Sequence, residues 1–173
     1  MGVGASHAAL DLRPEKVFVA DSQKTKFYVP DGLIVGGDEA IDDVVVLDIR
    51  HSRNQGFERI VIDLEGNRSG EPAAIQRPPY YQVEVSQVMK RLVFTIWGKP
   101  KLAFDAAKVK AAFRKSKAVK RVQLLPILEK DRWMFVVHLA SGQPVEIFEL
   151  NHPVRIIADV RSGPPAAVKG KGK

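Results

Sequence analysis

The feature that most constrains this chain is a six-residue pattern that occurs twice, Arg59-Ile-Val-Ile-Asp-Leu64 and Arg155-Ile-Ile-Ala-Asp-Val160. Each copy reads Arg, two aliphatics, a small or aliphatic residue, Asp, aliphatic. In a strand, successive side chains point to opposite faces. Ile60, Ile62 and Leu64 then share one face, as do Ile156, Ala158 and Val160, while Arg59, Asp63, Arg155 and Asp159 share the other. At ~3.3 Å per residue, an Arg and an Asp four positions apart lie roughly 13 Å from each other and cannot pair within one strand. Antiparallel neighbours would set Arg59 opposite Asp159 and Asp63 opposite Arg155, a favourable cross-strand arrangement. Each Asp comes with an Arg in its own repeat, so these four residues read as a structural motif rather than as paired catalytic carboxylates.

The rest of the chain agrees with a sheet-rich fold. Short β-branched or alternating runs predict strands at 16–19, 26–29, 44–50, 57–64, 80–85, 91–97, 122–128 and 133–139. Two more are expected from 145 onward and over 154–160, joined by an Asn-His-Pro turn. Pro30-Asp31-Gly32, Gly36-Gly37-Asp38, residues 52–56, Gly98-Lys-Pro100 and Ser141-Gly-Gln-Pro144 punctuate them, and 65–72 reads as a polar, Gly-rich surface loop. The period changes once. Asp105 is a plausible N-cap, and Ala106, Val109, Ala112, Phe113 and Ser116 recur at helical spacing, which predicts an amphipathic helix to about residue 118. The expected class is mainly β, an antiparallel β-sandwich with one amphipathic α-helix. Residues 1–15 read as a flexible N-terminal segment, 16–43 as N-terminal strands extending the domain, 44–161 as the sandwich domain and 162–173 as a disordered basic tail.

Little in the chain suggests catalysis. With no cysteine, thiolate chemistry, disulfides and cysteine-rich zinc sites are all excluded. His7, His51, His138 and His152 fall in unrelated settings without metal-ligand spacing, and His138, between Val137 and Leu139, reads as a packed or edge residue. There is no Gly-x-Ser-x-Gly elbow, and Gly36-Gly37-Asp38 lacks the Gly-Lys-Ser/Thr of a phosphate loop. Asn67-Arg-Ser69 matches a glycosylation sequon, a three-residue pattern of low specificity. The expectation is a non-enzyme with no cofactor and no metal. No apolar run approaches the ~20 residues of a membrane helix. The opening residues lack the basic and apolar regions of a signal peptide, as expected of a cytosolic protein or of one whose signal peptide has been removed.

Charge is unevenly distributed. The net charge is +7, yet 99–132 alone holds eleven basic and three acidic residues. An anionic partner is therefore sought there. Lys110, Arg114, Lys117 and Arg121, at i, i+4, i+7 and i+11, would form one ridge if the helix extends that far, with Lys108 and Lys115 on the other flank. Lysines that merely solvate the exposed side of a buried helix are the plainer reading. Aromatic residues do not interleave with the cluster, which argues against a single-stranded nucleic-acid platform. Tyr80 and Tyr81 follow Pro78-Pro79 at a strand entry; one of them, facing solvent, could stack on a sugar, although packing is the commoner role.

Residues 148–160, Phe-Glu-Leu-Asn-His-Pro-Val-Arg-Ile-Ile-Ala-Asp-Val, resemble the closing motif of AMIN domains. Gly56-Phe-Glu-Arg-Ile-Val-Ile-Asp-Leu64 resembles the entry strand of the AMIN-like subgroup, and Pro79-Tyr-Tyr-Gln-Val and Leu92-Val-Phe-Thr-Ile resemble its central strands. Together these motifs span about residues 44–161, and their specificity lies in order and spacing. The resemblance implies a non-catalytic β-sandwich module of the bacterial cell envelope, periplasmic once a signal peptide has been removed, that binds peptidoglycan or another cell-wall polymer. The charged helix and about 43 preceding residues depart from the compact family pattern. On this reading Lys110, Arg114, Lys117, Arg121, Tyr80 and Tyr81 are the candidate ligand-binding residues. The rival expectation is a protein-interaction or scaffold module of an envelope assembly, docking through a sheet edge. Nucleic-acid binding by the basic segment is a third.

Overall fold

A computed structural model describes residues 13–38 and 40–163. The expectations of a flexible start and a disordered basic tail fall mostly outside the described residues. Among the described residues, twelve strands form two facing sheets, accompanied by one short α-helix and a 3-10 turn at Pro14–Lys16. Sheet A has the order β1 (Val17–Val19), β2 (Gly32–Gly36), β6 (Tyr81–Ser86), β7 (Arg91–Trp97), β10 (Arg132–Leu139), β9 (Val119–Leu124). Sheet B has the order β11 (Val145–Asn151), β12 (Val154–Arg161), β4 (Phe57–Arg68), β3 (Val45–Asn54), β8 (Lys101–Leu102), and β5 (Glu71–Ala73) pairs with the far end of β4.

The sandwich is the expected class, with one parallel pair in each sheet: β1 beside β2, and β8 beside β3. Both parallel pairs join strands separated by a long connection, as parallel geometry requires. Strands β1 and β2 belong to sheet A itself, and Ile34 is a core residue. No helix among the described residues is long and apolar enough to cross a membrane.

Alternation explains which residues meet between the sheets. Strand β10 reads as a clean two-residue repeat, with Trp133, Phe135, Val137 and Leu139 buried and the residues between them half-buried on the outer face. Phe135 stacks on Phe94 of β7 at 4.5 Å and on Trp133 at 5.0 Å. The Trp133 indole N–H donates to the Leu125 carbonyl at 2.7 Å, so its one polar atom is not stranded in the core. From sheet B, Ile49, Ile60, Ile62, Ile156, Ala158 and Val160 complete the cluster.

The twin motif takes the anticipated register. Arg155 lies opposite Asp63 and Asp159 opposite Arg59, in antiparallel pairing of β12 with β4. One of the two ion pairs forms. Arg59 grips Asp159 through Nε and an Nη, at 2.7 and 2.9 Å. Asp63 instead takes the same fork from Arg50 on β3, at 2.6 and 2.9 Å, and Arg155 Nε donates to the Pro153 carbonyl. A central strand has neighbours on both sides, and Asp63 is claimed by the other one.

Several local expectations need correction. The helix α1 is Ala106–Ala112, not a helix reaching 118. Asp105 caps it as expected, accepting from the Ala107 and Lys108 amides. A helix continued beyond Phe113 would set Lys110, Arg114 and Lys117 at i, i+4 and i+7, like charges with no carboxylate among them. Meanwhile Glu58 of β4 accepts the Lys117 and Ala118 amides, which offers those N–H groups a better partner than a further helical turn. Residues 26–29 are not a strand: Lys26 sits at φ 64°, its amide taken by Glu146, and only Val29 bridges to Val145. The strand at 32–36, hidden between two glycine breaks, was not anticipated. The loop expected at 65–72 is instead a continuation of β4 to Arg68, a tight turn at Ser69-Gly70, and β5.

Candidate functional site

The two outer faces of the sandwich are built from similar strand chemistry and end up opposite in character. On sheet B, alternation turns Arg59, Asp159, Glu146, Phe57 and Phe148 outward, where water would be expected. A crossover segment, 20–31, lies over them instead. It leaves β1, bridges to β11 at Asp21–Phe148 and Val29–Val145, and returns to β2. Lys24 reaches down from this strap to Glu146 Oε1 at 2.6 Å and Asp159 Oδ2 at 2.7 Å. The amides of Thr25 and Lys26 both donate to the other Glu146 oxygen at 2.7 Å. The Lys24 ammonium also rests 4.5 Å from the Phe57 ring centroid.

Asp159 is fully buried and Glu146 is 2% exposed, so their charges depend on these partners. Burial opposes the Lys24 charge, but the hydrogen bonds it donates to Asp159 and Glu146 outweigh it and hold the ammonium above its ordinary value. Burial likewise penalises the Glu146 carboxylate, and Lys24 with the two strap amides overcomes that and lowers it. Arg59 is raised chiefly by its bond to Asp159. Every strong charge here is answered by the chain itself.

A second internal lock holds the helix end. Glu58, 2% exposed, is bonded by His51 Nε2 at 2.7 Å, by the Ser116 hydroxyl, and by the amides noted above. The penalty of burial is again outweighed, by Ser116 and then His51, and the carboxyl sits below its ordinary value. His51 also packs against Phe113 at 5.0 Å. The histidine is therefore a clamp between β3 and α1.

Among the described residues, sheet A's outer face has no such strap. Tyr80 and Trp97 lie half-buried at one end, ring centroids 5.0 Å apart at 45°, and Gln82 Nε2 donates to the Tyr80 hydroxyl at 2.7 Å. Gln82, Thr95 and Met134 form the next row across β6, β7 and β10. Glu84, Val93, Val136 and Gln123 follow, and Ser86, Arg91, His138 and Arg121 close the far end. Tyr81, one residue on, points the other way and is fully buried, so it cannot touch a ligand in this fold. Burial, with the Glu149 carboxylate beside it, pushes the Tyr81 phenol well above its ordinary value.

The supposed ridge is dismantled. Lys110 stands on α1, Arg114 and Lys117 in the turns after it, and Arg121 on β9, all exposed. Only Lys110 is helical, so the spacing i, i+4, i+7 and i+11 has no common face to act on. Arg121 instead joins sheet A's outer face. Trp97, Gln82, Arg91 and His138 were not singled out as binding residues; the alternation of β7 and β10 was the signal that could have placed them beside Tyr80.

A cleft of about 570 Å³ lies elsewhere, between the β3 edge and α1. Strand β8 covers that edge at Val45 and Val46 only. Among the lining groups Arg50 is paired with Asp63, Asp105 caps the helix, and Asp48 accepts the Ile49 amide. Compared with known proteins, the chain matches no family model and has no significant match among curated proteins.

Proposed function

We propose that this protein is a non-catalytic binding module of the bacterial cell envelope that takes peptidoglycan or another cell-wall glycan on the outer face of sheet A. The observation that carries the reading is the Tyr80–Trp97 pair, held on a sheet face that no described segment covers, with the Tyr80 hydroxyl anchored by Gln82. Sugar rings present C–H faces that pack on aromatic rings, and a rigid aromatic pair offers that contact with little ordering cost. The neighbouring Gln82 amide supplies hydrogen-bonding groups for sugar hydroxyls. The envelope location rests on the resemblance of residues 44–161 to AMIN-like domains. The test is co-sedimentation of the purified protein with peptidoglycan sacculi across a salt series, with a nucleic-acid shift assay as control. Binding that survives moderate salt and drops in Trp97→Ala supports the reading. Absence of sacculus binding by a folded protein rejects it.

One observation favours the second reading, docking of a partner protein. Beyond Val46 the β3 edge has no neighbouring strand among the described residues and faces the 570 Å³ cleft. An extended peptide could continue the lane that β8 abandons. Saturable binding to an envelope protein, lost in Arg53→Pro and kept in Trp97→Ala, would favour it over the glycan reading.

A further inference from the structure

The far end of sheet A's outer face gathers positive charge that no ion pair among the described residues answers; the nearest carboxylate on the face, Glu84, lies one row away, diagonal to Arg91. Arg91 of β7, His138 of β10 and Arg121 of β9 are direct neighbours in register. The register shifts between His138 and Leu139, where a bulge inserts Lys120 beside them. None of the three fixed cations takes part in an ion pair among the described residues, whereas Arg50, Arg59 and Arg132 each grip a carboxylate. The Arg91 Nε is buried and has no hydrogen-bond partner. Like charges placed directly across a sheet repel, and a buried donor left unpaired is costly. A sheet that keeps both at one spot is arranged for a counter-charge from outside.

We propose that Arg91, His138 and Arg121, with Lys120 in the adjoining bulge, bind an oxyanion, a phosphate or carboxylate group carried by the ligand of this face. The proposal rests on sheet A's outer face being the ligand face, and it names the ligand class as an acidic polymer. A guanidinium fork presents parallel N–H donors that match two oxygens of such a group, and Arg91 already holds one donor free. From Trp97 to Arg91 is six residues along β7, on the order of 20 Å. An acidic glycan chain can therefore touch the aromatic pair at one end and the cations at the other.

His138 provides an internal reporter. Burial, and then Arg121, Arg91 and Lys120, hold its imidazole below the ordinary value. These are the charged groups that face it, Arg91 from β7 and the other two from β9. A bound anion offsets the three cations, so its arrival raises the His138 midpoint, and by linkage the anion binds more tightly as pH falls through that midpoint.

The experiment is an NMR titration of the whole protein with inorganic phosphate, and separately with acetate, at ionic strength held constant with chloride. The expected result is a saturable shift of the His138 ring and Arg91 Nε–H signals and an upward move of the His138 midpoint. Exposed His152 serves as the control and stays still. Arg121→Gln, an exposed substitution that should leave the fold alone, weakens the response about tenfold, the effect of losing one charge-assisted contact. Preference for phosphate assigns a phosphodiester polymer, and equal response to acetate assigns a carboxylated one. His138 and His152 responding alike, or no difference between wild type and Arg121→Gln, overturns the proposal. Tyr80→Ala/Trp97→Ala separates the two readings. If that variant and the wild type both ignore sacculi yet keep the phosphate response, the glycan reading fails and the anion site stands.

Discussion

The two outer faces of this sandwich pose the same problem and solve it differently. Sheet B turns two carboxylates outward and buries them under residues 20–31, with Lys24 and Arg59 supplying the opposite charge. Sheet A turns Arg91, Arg121 and an aromatic pair outward and, among the described residues, leaves them without a strap and the two arginines without an ion pair, although Glu84 stands one row away. A charge that the chain itself answers contributes to the folded state and offers nothing to a ligand. A charge left unanswered costs stability and remains available. The closed face is the stabilising one, and the open face is where binding is proposed.

The sharpest way to break this contrast is to remove a buried charge from the closed face. Asp159→Ala strands Arg59 and leaves Lys24 with Glu146 alone, and should lower unfolding free energy by about 3–5 kcal/mol, read by urea titration. Glycan affinity of the fraction that remains folded should not change. A variant that melts normally but no longer binds would transfer Asp159 from the stability account to the ligand site.

Glu58→Gln probes the second lock on a smaller scale, about 1–3 kcal/mol, with faster hydrogen exchange at the Lys117 and Ala118 amides. The same groups set the acid response. Glu58 and Glu146 both titrate below their ordinary 4.5 when folded. Their contribution is therefore complete above that value and is lost as pH falls through the lower, folded values. Thermal melts should hold steady near neutrality and fall away in that acid range. In Glu58→Gln the fall should be shallower, and an unchanged slope would show that Glu58 is not part of it.

How much of this was legible in the sequence follows from the range of each signal. Two-residue alternation was enough to name the sandwich, the inward aliphatics of β4 and β12, and their register, because those depend on strand geometry and on charges within the repeats. The Asp105 cap was legible for the same local reason. The strap was not. Lys24 and Glu146 are 122 residues apart, and nothing near either one signals that they meet. The basic ridge failed because helical spacing was extrapolated past Phe113, where Glu58 from another sheet captures the backbone. Tyr80 and Tyr81 could be separated only by knowing which parity β6 adopts. The cationic row on sheet A was invisible for a related reason: Arg91, His138 and Arg121 are brought together by pairing of three strands.

The open face should respond to smaller changes. Trp97→Ala or Tyr80→Ala should each weaken glycan binding by about 1 kcal/mol, roughly fivefold, with stability little altered. Binding that is unaffected by both would separate the aromatic pair from the ligand. The least effect is expected from charge reversal at Lys110, Arg114 and Lys117. Their cations are scattered over α1 and the turns after it, so sacculus binding should weaken only at low salt, through long-range attraction that about 0.15 M salt screens beyond roughly 8 Å. A loss that persists at high salt would restore them as direct contacts.

The most direct test of the central claim is a backbone amide NMR map recorded with soluble peptidoglycan fragments. The account predicts shifts concentrated on Gln82, Thr95, Trp97, Met134 and His138, with the residues of the strap and of the β3 edge unmoved. Shifts running along β3 from Asp48 to Asn54, or centred on Lys24 and Asp159, would contradict it.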